Sequence, residues 1–273
     1  MADTIWTNGA ATRVVGTAGN WSNGAPAATG RAFFTSDYTS PNTSPNTTMA
    51  GLTAIDLALL DVSEFYNQTI GGVGSAMQIS ADKVIHRGGG ILYYKDGDLT
   101  TDSIVVDIGR SNGVSSVTAS LSLSGATTTL VSCRRGNLVV EASSTVAELV
   151  FGETGLVSEI YGTINTGCTI ATAATIYGGM VTCSSNPTVL RAFGGTWTQD
   201  TATITTIHVY AGARVNLVYS GAAYANIYHH GGIIDGTKGG PKTITNYRQL
   251  FETVNEQNRV IGYGSQVIAT NWI

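Results

Sequence analysis

Thr175-Ile176-Tyr177-Gly178-Gly179 is followed sixteen residues later by Arg191-Ala192-Phe193-Gly194-Gly195. Apolar-then-glycine turns also stand at Tyr161-Gly162, Ala211-Gly212 and His230-Gly231-Gly232. The glycines at Gly162, Gly178, Gly194, Gly212 and Gly231 therefore step by 16, 16, 18 and 19 residues. A period this short cannot hold a sandwich sheet or a dinucleotide-binding βαβ unit. It suits one coil of a solenoid made of three short strands. Between the turns, Ile, Val and Leu alternate with Thr, Ser and Asn, as in Thr206-Ile207-His208-Val209-Tyr210. That is the pattern of sheets with one wet face. One step departs from the rhythm: Phe151-Gly152 lies only 10 residues before Gly162.

Working outward, strand-like runs bounded by Gly, Asn or Asp fill the chain from Leu57 to Glu141, among them Val84-Ile85-His86 and Ile91 to Tyr94. Leu52, Ile55, Leu59 and Val62 also have helical spacing, but Gly51 and the strands that follow favour a strand there. Residues 1–50 read as an N-terminal cap and arm. Trp6 and Trp21 flank turns at Asn8-Gly9, Gly19-Asn20 and Asn23-Gly24, and Ala32-Phe33-Phe34 reads as a first strand. A cap is needed, because an open first coil exposes unpaired backbone groups. The duplication Ser40-Pro41-Asn42-Thr43, Ser44-Pro45-Asn46-Thr47 is too polar and proline-rich for a sheet and reads as an exposed loop or strap. The repeated body spans 51–240. The C-terminal tail, 241–273, offers a short helix from Tyr247 to Asn255 and an extended run from Val260 to Trp272.

Charged residues are 12% of the chain, against a usual share of about 25%, so large parts of the surface must be neutral or covered by neighbours. A formal charge of -4 gives no basic footprint, and nucleic-acid binding is not expected. Met1-Ala2-Asp3-Thr4-Ile5-Trp6 has no positively charged and apolar leader, and no run is apolar enough to span a bilayer. These features predict a chain made in the cytoplasm, not secreted, without membrane contact. Cys133, Cys168 and Cys183 give neither a disulfide framework nor a zinc spacing. Cys168 and Cys183, 15 apart, are expected in a ladder of small apolar side chains inside the coils.

Three stretches carry a resemblance to right-handed parallel β-helix families found in phage structural proteins, tailspikes and autotransporter passengers. Gly19-Asn20-Trp21-Ser22-Asn23-Gly24-Ala25-Pro26 is similar to an element near the start of such solenoids. Phe65-Tyr66-Asn67-Gln68-Thr69-Ile70-Gly71-Gly72 resembles one of their coils, and Phe193-Gly194-Gly195-Thr196-Trp197 one of their corners. The expected fold is all-β: a single-stranded right-handed parallel β-helix of about nine coils, with an N-terminal cap and a C-terminal extended tail. For a short unsecreted chain the resemblance implies a virion component, such as a head decoration (cement) protein, and proteins of that kind are usually trimeric.

Chemistry is harder to find. Enzymes on this fold pair carboxylates on one solenoid face, and Glu148, Glu153 and Glu159 do not stack on the period. Asp96, Asp98, Asp102 and Asp107 have a calcium-loop-like spacing, but Thr101 stands where that loop needs glycine. His229 and His230 suggest a pH-sensitive or metal-binding turn, or more simply a hydrogen-bonded corner. Tyr161, Tyr177, Phe193 and Tyr210 suggest rings stacked down the solenoid, or a carbohydrate surface. Paired threonines such as Thr196 and Thr198 are good outward strand residues, and fall out of register for an ice-binding ladder. The sequence thus predicts a non-enzymatic virion protein, without catalytic residues, metal or cofactor, that binds the major capsid protein or other virion proteins as a homotrimer. Its candidate contact residues are Trp6, Trp21, Tyr247, Phe251 and Trp272, each of which could instead cap a solenoid end. The alternatives are a tail-associated receptor or glycan-binding protein, and a polysaccharide lyase or hydrolase.

Overall fold

The computed structural model describes residues 3–11, 15–35, 55–72, 76–96, 100–108, 120–154, 159–201, 203–250, 259–261 and 267–272. The chain forms two compact units, Met1–Thr145 and Val146–Ile273. Both are parallel β-solenoids, and the chain makes about nine turns over residues 56–249. Apart from a 3-10 turn at Ala18–Asn20, no helix occurs among the described residues. None is therefore long and apolar enough to cross a membrane.

In the first unit one sheet stacks Asp3–Ile5, Arg31–Phe34, Leu59–Val62, Lys83–His86, Thr101–Asp107 and the start of Thr127–Val140, each parallel to the next. A second sheet stacks Met77–Gln78, Ile91–Lys95, Ser120–Leu123 and the end of Thr127–Val140. Asp56–Leu57 and Ser80–Ala81 form a short third face. The segment with helical spacing, where described, is thus strand at Asp56–Leu57 and Leu59–Val62, while Leu52 lies outside the described residues. The coil stack also starts earlier than position 51, since Asp3–Ile5 and Arg31–Phe34 are already in register with Leu59–Val62.

In the second unit one sheet runs Thr169–Ile176, Val189–Ala192, Thr206–Tyr210, Ala223–His230, Lys242–Gln249 and Val267–Trp272. The other runs Ile160–Ile164, Met180–Cys183, Gly195–Gln199, Ala213–Leu217, Ile233–Asp235 and Arg259–Ile261. Stacking therefore continues past position 240. The helix expected from Tyr247 is replaced by the strand Lys242–Gln249, whose alternating Thr243, Ile244, Thr245, Asn246, Tyr247 fits a half-buried sheet better than a helix stripe. The rest of that expected helix, 251–255, lies outside the described residues, as does the Ser40 to Thr47 duplication.

Periodicity places the core. Leu190, Ile207, Ile227 and Tyr247 share one inward column, and Val181, Trp197, Val215 and Ile234 another. All eight are buried. Each such side chain contributes about 1.5–3 kcal/mol relative to exposure. Because the strands are parallel and in register, every coil repeats the contact of the one before.

The corner glycines correct one part of the sequence reading. Gly179, Gly195, Gly212 and Gly232 join the two sheets with φ of 86°, 70°, 93° and 79°. In the preceding coil the matching corner is Gly152, with φ of 82°, not Gly162. Gly162 lies within Ile160–Ile164, in register with Val181. A Cβ there would stand 2.4 Å from the ring of Phe151. The 10-residue step arises because these two glycines serve different physical needs.

Candidate functional site

The outward face of the first sheet in the second unit carries the most concentrated side-chain chemistry. Thr206–Tyr210 pairs with Ala223–His230 so that His208 faces Tyr228 and Tyr210 faces His230. Alternation turns His208, Tyr210, Tyr228 and His230 outward, half-buried, and sends Val209 and His229 inward. The rings form a continuous ladder. Tyr177 stacks on Phe193 at 5.1 Å, Phe193 on Tyr210 at 4.3 Å, and Tyr210 on His230 at 4.3 Å. His208 stacks on Tyr228 at 4.7 Å, in an adjacent column.

Ring stacking was legible in the spacing, but its membership differs from expectation. Tyr161 pairs in register with Met180 on the other sheet, and His230 takes the fourth place in the ladder. Inside the stack both faces of Phe193 and of Tyr210 are covered by neighbouring rings, and outward there remain edges and the Tyr210 hydroxyl. A sugar ring, which binds to an exposed aromatic face, finds none inside this stack.

The adjacent histidines have opposite fates. His229 is fully buried, with Nδ1 2.6 Å from the Tyr247 hydroxyl and Nε2 3.1 Å from the Gly232 carbonyl oxygen. This is the hydrogen-bonded corner, held from two sides. His230 instead reaches across its coil boundary, and its Nε2 lies 3.4 Å from Nδ1 of His208. Burial holds both outward imidazoles below the usual histidine range. For His208, proximity to His230 and Arg191 adds to this. His86, in the first unit, is buried with Nε2 3.2 Å from the Gly90 carbonyl oxygen.

A second feature of this unit is a neutral hollow of about 560 Å³, lined by Thr166, Cys168, Ser185, Asn186, Thr203 and Tyr219 among others. Its hydroxyls and amides mostly tie coils together. The Thr201 hydroxyl donates to the Ser184 carbonyl at 3.0 Å, and Asn186 accepts from the Thr203 N–H at 3.1 Å. Tyr219 stands on its edge, 39% exposed. Behind the hollow, Gln199 is fully buried, accepting from the Trp197 indole at 3.0 Å and donating to the Ser185 carbonyl at 2.6 Å. The expected cysteine ladder does not form: Cys183 sits in a column with Ile164, Gln199 and Leu217, and Cys168 lies in the turn before Thr169–Ile176. Both remain buried and unpaired in disulfides, as does Cys133.

The remaining sequence candidates are scattered. Trp6 and Trp21 are buried, edge to face at 5.2 Å, and pack on Phe34; the Trp21 indole donates to the Val15 carbonyl at 2.6 Å. Tyr247 is buried as well. Trp6 and Trp21 thus pack inside the first coils, and Tyr247 continues the inward column of Ile227. Phe251 lies outside the described residues, and Trp272 is placed by backbone register opposite Tyr247. Asp96 is buried and accepts from the Thr127 N–H, Asp107 pairs with Arg135, and Asp98 is outside the described residues. Among the described residues no group of three or more His, Cys, Asp or Glu is arranged to hold a metal. Glu148 and Glu159 are exposed, and Asp200 accepts from the Ser184 hydroxyl at 2.7 Å.

Fold and surface together define a parallel β-solenoid that carries, among its described residues, an imidazole-bearing ring ladder and a hollow lined by hydroxyls and amides. No protein-family model matches the chain, no curated protein matches it in sequence, and no solved structure matches it in fold.

Proposed function

We propose that the chain is a virion structural protein, a head decoration (cement) protein that binds a capsid lattice as a homotrimer and stabilises it. The observation that carries this reading is the disposition of charge. Arg31–Asp3, Arg87–Asp61 and Arg135–Asp107 in the first unit, and Arg214–Asp235 in the second, join neighbouring coils as ion pairs. These charges act as rungs between coils, while outward strand positions such as Thr182, Thr198, Asn226 and Asn246 are neutral. A neighbour covers such a face at a lower desolvation cost than a charged one. Met180 and Leu250, 56% and 45% exposed, add apolar anchors in the second unit. Binding to assembled lattice in preference to free subunits stabilises the shell by mass action.

Cosedimentation with purified particles tests the reading. Stoichiometric recovery on tailless heads is expected, and recovery on tails alone overturns it. A single 28.4 kDa species by light scattering at all concentrations rules out a stable free trimer.

The hollow beside Tyr219 supports a second reading, a tail-associated glycan-binding protein, since neutral hydroxyls and amides beside one open aromatic ring suit a sugar. Binding on a glycan array that is lost in Tyr219→Ala decides for it, and an array without binding decides against it.

A further inference from the structure

We propose that His208 and His230 form a two-histidine site for a divalent transition-metal ion of the zinc and copper kind, on the outward ring ladder of the second unit. The site is independent of the virion role proposed above. The two facing nitrogens are 3.4 Å apart, while the ring centroids are 5.6 Å apart and the planes 20° from parallel. The centroid separation about equals the nitrogen gap plus two ring radii, so these rings meet edge to edge with the two nitrogens facing each other. Two imidazole nitrogens bound to one tetrahedral ion at about 2.0–2.1 Å lie about 3.3 Å from each other. The gap already matches that separation, and a tilt of each ring turns both lone pairs onto an ion beside the line that joins the nitrogens.

The rings are also held. Tyr210 lies against His230 at 4.3 Å and Tyr228 against His208 at 4.7 Å, so little rotamer freedom is left to lose on binding. In the metal-free protein one imidazole N–H donates across the gap to the other ring's lone pair. The ion replaces that hydrogen, which moves to the outer nitrogen of its own ring, so both ligands remain neutral and no net proton is released. His229 is no competitor, because both its nitrogens face the Tyr247 hydroxyl and the Gly232 carbonyl. Arg191, in register with His208, opposes a cation and limits affinity. Water fills the remaining coordination positions, and affinity follows the order in which copper exceeds zinc.

The test titrates Cu²⁺ and Zn²⁺ into the full chain at neutral pH. Electron paramagnetic resonance is expected to show one Cu²⁺ per chain with nitrogen hyperfine coupling from two imidazoles. His208→Gln and His230→Gln should each weaken binding by about tenfold or more, and Arg191→Gln should strengthen it. A copper spectrum unchanged in the double variant, or no uptake at about millimolar metal, overturns the proposal. Histidine ring nitrogens followed by NMR in the unaltered chain decide even where variants fold poorly. Zn²⁺ should shift the resonances of His208 and His230 and leave those of His86 and His229 in place; the absence of shifts at the first two also overturns it.

Discussion

Replacing Gly179 by alanine separates the two reasons for which this solenoid needs glycine at a corner. Gly179 has φ of 86°, and a Cβ built there would stand 2.5 Å from both the Cβ and the carbonyl oxygen of Ile160, in the previous coil. The left-handed backbone costs an alanine about 1–2 kcal/mol. The overlap with a buried strand that cannot move without disturbing its ladder to Met180–Cys183 adds about 1–3 kcal/mol. Gly221, with φ of 68° and nothing within 4 Å of a built Cβ, carries the first cost alone. The total for Gly179→Ala is about 2–5 kcal/mol, a fall in urea midpoint on the order of 1–2 M; Gly221→Ala should lose only the backbone part, about 1–2 kcal/mol. Fluorescence of the fully buried Trp197 reports on the same unit, which matters because solenoid coils need not unfold together. Equal midpoints for the two variants would refute the argument that close coil approach, beyond backbone handedness, fixes these corners.

Lys242→Met should destabilise the last coils of the second unit by about 1–3 kcal/mol, because the Lys242 ammonium donates to the carbonyls of Gly236, Lys238 and Gly240; faster proteolysis between Gly236 and Gly240 reads this out. Burial pushes the Cys183 thiol up to about 12 and raises those of Cys133 and Cys168, so a thiol reagent at mildly alkaline pH should label none of the three until urea is added. Burial alone would raise Asp235, but the Thr237 hydroxyl and N–H, with the Arg214 guanidinium, outweigh it and hold the carboxyl below its usual value of 3.8. The stability it contributes is full above that unfolded value and is lost as pH falls through the lower folded one. Asp235→Asn should accordingly flatten the acid limb of a stability profile, and an unchanged limb would contradict the assignment.

The repeat was legible because the second unit places a glycine at each corner where the chain turns tightly against its neighbour, and four of these five corners, Gly179, Gly195, Gly212 and Gly232, follow one another on a near-constant period. The register at Gly162 was not, since the same letter marks a left-handed corner at Gly152 and an inward space beside Phe151 within a strand. Of the ring ladder, Tyr177, Phe193 and Tyr210 could be read from spacing. His230 could not be placed there, although its alternation with His208 and Tyr228 across two strands was a usable signal: histidine is counted as polar, yet its flat ring stacks as tyrosine does. The buried Gln199 and Lys242 gave no warning, because polar side chains at inward positions are decided by partners from other coils. The tryptophans illustrate the converse, for an aromatic near a chain end closes a solenoid from inside as readily as it grips a partner outside.

The three carbonyls gathered around Lys242 have one further implication. Oxygen cages of this kind, formed where a glycine-rich turn directs several carbonyls inward, are the usual seat of a bound alkali or alkaline-earth ion. Here the positive charge is tethered to the strand that follows the turn, at a fixed stoichiometry of one and with no dissociation. The turn from Gly236 to Gly240 is thereby made indifferent to the ionic composition around it, and neither chelator nor dilution can remove what holds it.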